Sequence, residues 1–228
     1  MTDLDPPPID LLDGIMTTRA LRRYTDEPVS DNDLWTILRA AQQGPSGGNI
    51  QPWQFVVVTD DEPKAKLGEI YRSSYYRYEA AMLAMSPPRR PEDEPSWQRT
   101  IAASRHLADH FGEAPAIIGA AMADISMDVV DEDGVMDVGT PYASVYPALQ
   151  NLMLAARALG LGTALTTVFR IRHDEVREVL GVPDRFQVVA EAGTAAEALA
   201  ENSRAMTQVV ASLKRAGVNT APTRTTRQ

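Results

Sequence analysis

A glycine-rich segment with amide side chains, residues 44–55, has the composition of a ligand-binding turn. It reads GPSGGNIQPWQF. Glycines let main-chain N–H groups approach a ligand closely, while Ser46, Asn49 and Gln51 add donors and acceptors suited to the polar edge of a flat heterocycle. The same composition also suits a plain connection between a helix and a strand. Residues 44–55 therefore predict either a site for a flat or anionic ligand or an ordinary turn.

An arginine-rich turn lies upstream, at residues 17–29, with the sequence TTRALRRYTDEPV. The guanidinium groups of Arg19, Arg22 and Arg23 have the charge and geometry to hold a phosphate. Alternatively, they pair with the acidic residues that follow or with solvent, as most surface arginines do.

Together, the two segments resemble the nitroreductase family of flavoproteins. That family has an Arg-Arg-Ser-x-Arg-like turn followed by Asp-Glu-Pro-Val, a helix, Pro-Ser-x-x-Asn-x-Gln-Pro-Trp and a strand, in the order and spacing found here. A further block, YPALQNLMLAARALGLGT at residues 146–163, is similar to the family's central helix and its exit. Residues 10 to about 213 follow the family pattern. Two positions depart from it: Thr18 replaces an arginine and Ala20 a serine.

The resemblance implies an α+β fold in which helices wrap a mixed, mainly antiparallel sheet. It also implies a homodimer with exchanged arms and two flavins at the interface. The expected cofactor is non-covalently bound FMN, with NADPH or NADH as hydride donor. The expected reaction is ping-pong transfer of a hydride to a nitroaromatic, a quinone or a similar planar acceptor.

The resemblance also places the cofactor-binding residues. No side chain is expected to be catalytic, because FMN carries the chemistry. Arg22 would tune the flavin electrostatically and, with Arg19, hold the phosphate. The partner subunit's loop would line the ring, and residues 166–168 would lie beside its redox edge. The complete set is Arg19, Ala20, Arg22, Pro45, Ser46, Gly47, Asn49, Gln51, Thr166, Thr167, Val168 and Arg204, the last as a third phosphate contact.

Other functions remain open at this stage. Another branch of the superfamily would dehalogenate an aromatic reductively, or break FMN down with oxygen; the resemblance associates the latter with an acidic residue where this chain has Ala20. A non-catalytic protein that sequesters FMN is a third possibility, with the Tyr- and Pro-rich residues 71–95 blocking the pocket. A Rossmann domain is excluded, because no Gly-x-Gly-x-x-Gly turn follows a predicted strand.

Composition narrows the class of protein further. The chain has 228 residues, a formal net charge of -9 and no cysteine. That charge argues against a nucleic-acid partner, which would need clustered Lys and Arg in excess. The absence of cysteine excludes thiolate catalysis, disulfides and cysteine-bound metals. The N-terminal residues do not form a secretory signal, and no apolar run reaches membrane-spanning length. We therefore expect a soluble cytoplasmic protein without membrane partners.

One domain is expected, because the residues that resemble the family run almost without interruption. The predicted organisation is a flexible N-terminus at 1–9, a single FMN-binding domain at 10–216, and a mobile or partner-wrapping tail at 217–228. Within the domain, residues 71–113 form a variable helical lid or cover.

Helices and strands alternate along the predicted domain. Asp10 and Ser30 are the caps of two helices, the second amphipathic, and further helices are expected from Glu62 and Tyr142. The other predicted helices cover residues 97–111 and 173–180. Strands are expected at 55–58, buried on both faces, and at 116–122, 163–169 and 187–192. This alternation alone permits a doubly wound parallel sheet; the resemblance favours the mainly antiparallel one.

Three further patterns have competing explanations. The tyrosines at 71, 75, 76 and 78 suit either an aromatic cover or, preferably, helix packing. His106 and His110 have zinc-binding spacing but lack a metalloprotease-type acidic residue between them, so no metal site is expected. The acidic residues 124–137 lack the ligand spacing of a calcium loop and predict a solvated loop.

Overall fold

The computed structural model describes residues 9–124, 129–136 and 139–196. Arg204, the predicted tail 217–228 and nearly all of the predicted N-terminal segment 1–9 lie outside the described residues. In the part of the chain that the structure covers, no helix is both long and apolar enough to cross a membrane.

Six α-helices occur among the described residues, and local sequence explains where the first two begin. Asp10 accepts a hydrogen bond from the Leu12 N–H (2.9 Å), and Ser30 accepts one from the Asp33 N–H (3.1 Å), as predicted for N-caps. The helices are α1 (Leu11–Thr17), α2 (Asp31–Ala41), α3 (Asp61–Met85), α4 (Glu94–His110), α5 (Val145–Ala158) and α6 (His173–Val179).

The described strands form one four-stranded sheet and one separate hairpin. They are β1 (Trp53–Val58), β2 (Ala116–Ala123), β3 (Val129–Asp131), β4 (Gly134–Met136), β5 (Leu161–Thr166) and β6 (Phe186–Ala196). The sheet order is β1-β2-β6-β5, and every pair is antiparallel. A parallel bridge between Ala20 and Thr163 adds the arginine-rich turn to the outer edge of β5. The predicted mixed, mainly antiparallel sheet is confirmed, and the doubly wound alternative is wrong.

Several predicted strand features need correction. β1 is an edge strand, so Phe55, Val56 and Val57 are only partly buried and not enclosed on both faces. The strand predicted at 163–169 ends at Thr166, and a 3-10 helix follows at Val168–Arg172. The acidic segment predicted as a loop contains the exposed β3–β4 hairpin, because its valines can pair across the turn before Gly134.

Hydrophobic side chains pack on both faces of the sheet. On one face, α3, α4 and α6 enclose Phe111 and Phe169, which have no exposed surface. All four tyrosines of the predicted cover lie on α3; Tyr71 and Tyr75 are buried in this core, which supports helix packing for those two. On the other face, α2 and α5 pack against β2 and β5. The predicted lid at 71–113 stays a prediction.

Helix α5 lies between the two segments that the sequence singled out. One of its faces is fully buried, through Val145, Ala148, Leu149, Leu152 and Ala156. At 1.5 Å per residue, the helix is about 20 Å long. Its two ends therefore mark two distant places on the molecule.

Candidate functional site

The glycine-rich loop is fixed to the N-terminal end of α5. A Cβ atom at Gly44 would lie 2.8 Å from the main chain of Ala148, so only glycine allows this close approach. The Gly47 N–H donates to Ser144 Oγ (3.3 Å), and the Gln51 N–H donates to Ser46 Oγ (3.1 Å). The loop is thus attached to the helix and braced internally by one of its own predicted site residues.

Two residues of the loop, Asn49 and Gln51, adopt backbone angles unusual for residues with side chains. Their φ angles are 56° and 46°, next to Gly48 at 57°. The left-handed region costs a non-glycine residue roughly 1–2 kcal/mol. Both side chains are exposed and make no hydrogen bond to another described residue. A strained backbone that presents two unpaired amides is typical of a ligand-binding segment.

A cavity of about 410 Å³ opens beside the loop. Among the described residues, its walls carry no charged side chain; they are formed by the loop, β2, the residues before α5 and the first turn of that helix. The lining residues are Pro45, Ser46, Gly47, Ile50, Pro52, Met122, Thr140, Pro141, Ala143, Ser144 and Pro147. A mostly apolar cavity of this size, with a few hydroxyl and N–H groups, suits a planar ring system.

The arginine-rich turn is fixed at the other end of α5. The Leu21 N–H donates to the Thr163 carbonyl (2.9 Å), and a Cβ at Gly162 would collide with the Leu21 side chain. Arg19 is exposed, and its Nη1 donates to the carbonyls of Met16 (3.1 Å) and Thr18 (2.7 Å). These bonds hold the Arg19 guanidinium close to the turn.

The site arginines make no ion pair with a described carboxylate. Five other described arginines do pair with aspartate or glutamate: Arg72, Arg90, Arg105, Arg172 and Arg177. By contrast, the three arginines of the turn pair with no described carboxylate, which leaves solvent or a ligand as their partner. Unpaired guanidinium groups in an acidic chain are available to an anionic ligand.

The predicted residues at the end of β5 lie beside this turn. Thr166 is buried, and its side chain is hydrogen-bonded to the hydroxyl of Tyr71. Burial raises the pKa of Tyr71, while the Thr166 bond and the charge of Arg22 oppose that rise. Arg22, Tyr71 and Thr166 therefore form one cluster. Thr167 and Val168, both half-buried, follow directly in the chain.

Within one chain, the structure separates the predicted site into two groups. The loop group contacts Ser144 at the start of α5, and the arginine group contacts Arg157 in its last turn. The helix places these ends about 20 Å apart. The structure brings together the predicted residues of the arginine group: Arg19, Ala20, Arg22 and residues 166–168. The predicted residues of the loop group lie at the other end of α5 in the same chain: Pro45, Ser46, Gly47, Asn49 and Gln51.

Comparison with known proteins identifies the family. Residues 15–194, most of the chain, match the model of the Nitroreductase family. The chain belongs to the nitroreductase family. The family predicted from the sequence is confirmed.

Two curated relatives illustrate the range of activities within the nitroreductase family. The chain is 30% identical over 212 residues to the nitrobenzene nitroreductase of Ectopseudomonas oleovorans, covering 86% of this chain and 92% of that protein. It is 31% identical over 190 residues to the 5,6-dimethylbenzimidazole synthase of Rhodospirillum rubrum, covering 82% of each.

Solved structures confirm the nitroreductase fold. One is an FMN and NADPH-dependent nitroreductase from sphigopyxis sp. strain HMH, with a TM-score of 0.60, 22% identity, and coverage of 82% of this chain and 88% of that one. Another is an iodotyrosine deiodinase bound to FMN and 3-iodo-L-tyrosine, with a TM-score of 0.61, 22% identity, and coverage of 82% and 89%. Identities this low establish the fold alone.

Sequence reasoning missed Glu191, a fully buried carboxyl in the core of this nitroreductase-family chain. It lies on β6, in register with Gly119 on β2 and Thr166 on β5. In the part of the chain that the structure covers, neither of its oxygens has a hydrogen-bond partner, and burial raises its pKa to about 8. Its charge also raises the pKa of Tyr71, which places it near the Thr166 cluster. A signal was available: an ionisable residue within the apolar run VVAEA.

The two histidines at zinc-binding spacing, His106 and His110, lie side by side on α4. Their rings pack with centroids 4.3 Å apart, and His110 Nδ1 lies 2.9 Å from Glu113 Oε2. Burial lowers the pKa of His106. Among the described residues, no group of three or more His, Cys, Asp or Glu side chains is placed to hold a metal.

Proposed function

We propose that this chain is an FMN-dependent oxidoreductase that transfers a hydride from NADPH or NADH to a nitroaromatic, a quinone or a similar planar acceptor by a ping-pong mechanism. The observation that carries the proposal is the group of unpaired arginines beside the end of β5. It occurs in a nitroreductase-family chain with a cavity whose described lining residues carry no charge and, together with the glycine-rich loop, suit a flat ring.

The residues present fit the chemical parts of FMN. Arg19 and Arg22 have no described carboxylate partner and can hold a phosphate. The amides of Asn49 and Gln51 have unused donors and acceptors for the polar edge of a ring system. Arg204, the proposed third phosphate contact, lies outside the described residues and stays a prediction.

When bound, FMN would accept a hydride from the nicotinamide and pass reducing equivalents to the acceptor. The chain's own residues would bind the flavin, orient its ring and tune its redox potential. Arg22, half-buried near Thr166, would supply positive charge where negative charge develops. The loop from Pro45 to Gln51 would cover the ring and exclude water from it.

A homodimer would reunite the two groups of residues. The loop group and the arginine group lie at opposite ends of α5, which supports a proposal in which a second copy would supply the other half of each site. Apolar side chains near these segments are exposed: Leu11 (68%), Leu12 (69%) and Met16 (69%) on α1, and Trp35 (67%) on α2. We propose that these exposed apolar side chains contribute to the contact with the second copy.

An anaerobic absorption experiment tests the proposal. The purified protein, loaded with FMN, should lose its visible flavin band on addition of NADPH or NADH and regain it on addition of a nitroaromatic or quinone. A band that neither nucleotide bleaches would favour sequestration of FMN or another donor. A colourless protein unable to take up FMN would contradict the assignment.

A second candidate is oxygen-dependent breakdown of FMN, favoured by the 31% identity to 5,6-dimethylbenzimidazole synthase. The exposed Ala20 lacks the acidic side chain that we associate with that activity. Mixing the protein with reduced FMN and oxygen distinguishes the two: formation of 5,6-dimethylbenzimidazole, detected by mass spectrometry, would support this branch. Recovery of intact FMN would leave the hydride-transfer proposal.

A further inference from the structure

We propose that Arg157 is an additional cation of the phosphate subsite and makes this chain prefer FMN to riboflavin. This inference rests on the proposed function, because it concerns the same flavin. It adds a residue from α5 to a subsite otherwise assigned to the turn after α1 and to Arg204.

Arg157 is held against that turn by a defined hydrogen bond. It lies in the last turn of α5, and its Nη2 donates to Thr17 Oγ1 (3.2 Å). The Thr17 hydroxyl donates its own hydrogen to the Asp13 carbonyl (2.5 Å), so its oxygen is left to accept from Arg157. The guanidinium is therefore anchored beside Arg19, two residues after Thr17.

The guanidinium of Arg157 is incompletely satisfied. Its Nε is buried and has no hydrogen-bond partner among the described residues, and no described carboxylate pairs with the group. A buried donor without an acceptor is destabilising, more so when it belongs to a charged group. An anion bound beside Arg157 would offset that cost.

A small cleft brings Arg157 and Arg19 together. Thr17, Thr18 and the start of β5 complete its walls, and its interior of about 10 Å³ has room for about one water molecule. A phosphate is larger than this and would lie at the mouth, where Arg19 is exposed. There it would lie between two cations that no described carboxylate neutralises.

FMN and riboflavin differ only in the phosphate, so comparing them isolates this contact. Apoprotein would be titrated with each flavin, for the wild type and for Arg157→Met. A lost hydrogen bond between charged groups corresponds to roughly 10- to 100-fold in affinity. We expect Arg157→Met to weaken FMN binding by about that factor and to leave riboflavin binding within about threefold.

Arg39→Met is the matched control, because Arg39 is exposed on α2, has no described ion pair and undergoes the same change of charge. Arg39→Met should change neither the affinity for FMN nor the affinity for riboflavin. Arg157→Gln, which keeps a polar side chain, serves if the methionine variant does not fold. The FMN affinity of the variant should also fall less steeply with salt than that of the wild type, since one fewer cation contacts the phosphate.

Equal weakening of FMN and riboflavin would show a structural role for Arg157 and overturn the inference. Unchanged FMN affinity would overturn it as well. In both cases a wild type that binds FMN leaves the proposed function intact. A wild type that binds neither flavin would instead overturn the proposed function, and with it the phosphate subsite.

Discussion

Glu191 is fully buried in the sheet near Tyr71 of α3, and no described residue donates a hydrogen bond to either of its oxygens. Tyr71 on α3 is the titratable group whose pKa the charge of Glu191 raises, and Tyr71 in turn interacts with Tyr24 and Arg22 on the turn after α1. Burial also raises the pKa of Tyr24, whose hydroxyl likewise has no hydrogen-bond partner within the described ranges. At neutral pH the Glu191 carboxyl is therefore protonated, because ionising it in this setting would leave an uncompensated buried charge.

This carboxyl should make the folded state less stable as the pH rises. Below its ordinary pKa of 4.5, Glu191 is protonated in both the folded and unfolded states. Between 4.5 and about 8 only the folded state keeps the proton, so the free energy of unfolding falls with rising pH, by at most about 5 kcal/mol. Urea unfolding of Glu191→Gln between pH 4.5 and 8.5 should lack this fall.

The pH dependence of the free energy of unfolding must be compared between Glu191→Gln and the wild type, because the titration of other groups changes that free energy in the opposite direction. The pKa of Glu175, for example, is lowered, first by its hydrogen bond to Arg172, so it stabilises the fold as the pH rises from acid. Glu27→Gln, at an exposed position, is the control. Parallel pH profiles for Glu191→Gln and wild type would show that Glu191 does not titrate in this window.

Arg22 should control the redox potential of the bound flavin. A cation stabilises the reduced, more negative cofactor, so Arg22→Met should shift the midpoint potential to more negative values. We expect about 30 mV, equivalent to about 1.4 kcal/mol for a two-electron couple. Dye-equilibrium titration measures this shift. Arg23→Met, at the exposed neighbouring position, should leave the potential unchanged; an equal shift in both variants would contradict a specific role for Arg22.

At the scale of elements, contact between the glycine-rich loop and α5 depends on Gly44. A Cβ there would meet the main chain of Ala148, and neither backbone can move without disturbing the core. Gly44→Ala should lower the free energy of unfolding by roughly 1–3 kcal/mol. A Cβ at Gly47 meets nothing within 4 Å, so Gly47→Ala should change stability little. Chemical denaturation would measure the free energy of unfolding of Gly44→Ala and Gly47→Ala. A similar loss of stability in both variants would show that the steric contact at Gly44 is unimportant.

Elements governed by local interactions were predictable from the sequence. The N-caps at Asp10 and Ser30 and the buried face of α5 follow from side chains within a few residues of each other. The exposure of β1 was not predictable, because it depends on which strand lies at the edge of the sheet. Likewise, the segment pattern identified both halves of the site, but only the packing of α5 shows how far apart they lie. The lack of a described hydrogen-bond partner for Glu191 was also not predictable, because it depends on neighbours from β2, β5 and α3.

At the scale of the whole molecule, shared sites can be tested by complementation. One chain would carry Arg19→Ala and Arg22→Ala, and the other Ser46→Ala and Asn49→Ala. If each site takes one group from each copy, both homodimers have two damaged sites, whereas the mixed dimer has one intact site and one doubly damaged site. Differently tagged chains would be co-purified and their FMN content measured.

We expect the mixed dimer to hold close to one FMN per dimer, more than either variant homodimer. FMN content equal to the average of the two homodimers would place all binding residues within one chain. Size-exclusion chromatography of each variant should still give a dimer, since the substituted side chains bind the ligand and are not the apolar surface of α1.

The position of α5 has a further consequence in such a dimer. Each copy of the helix has one end at one flavin and the other end at the second flavin, and its buried face makes it stiff. When the first flavin binds, it fixes the glycine-rich loop at the start of α5 in one copy. It also fixes the arginine-rich turn at the end of α5 in the other copy. The second site then has less conformational entropy to lose, so flavin uptake would be positively cooperative between the two halves of the molecule.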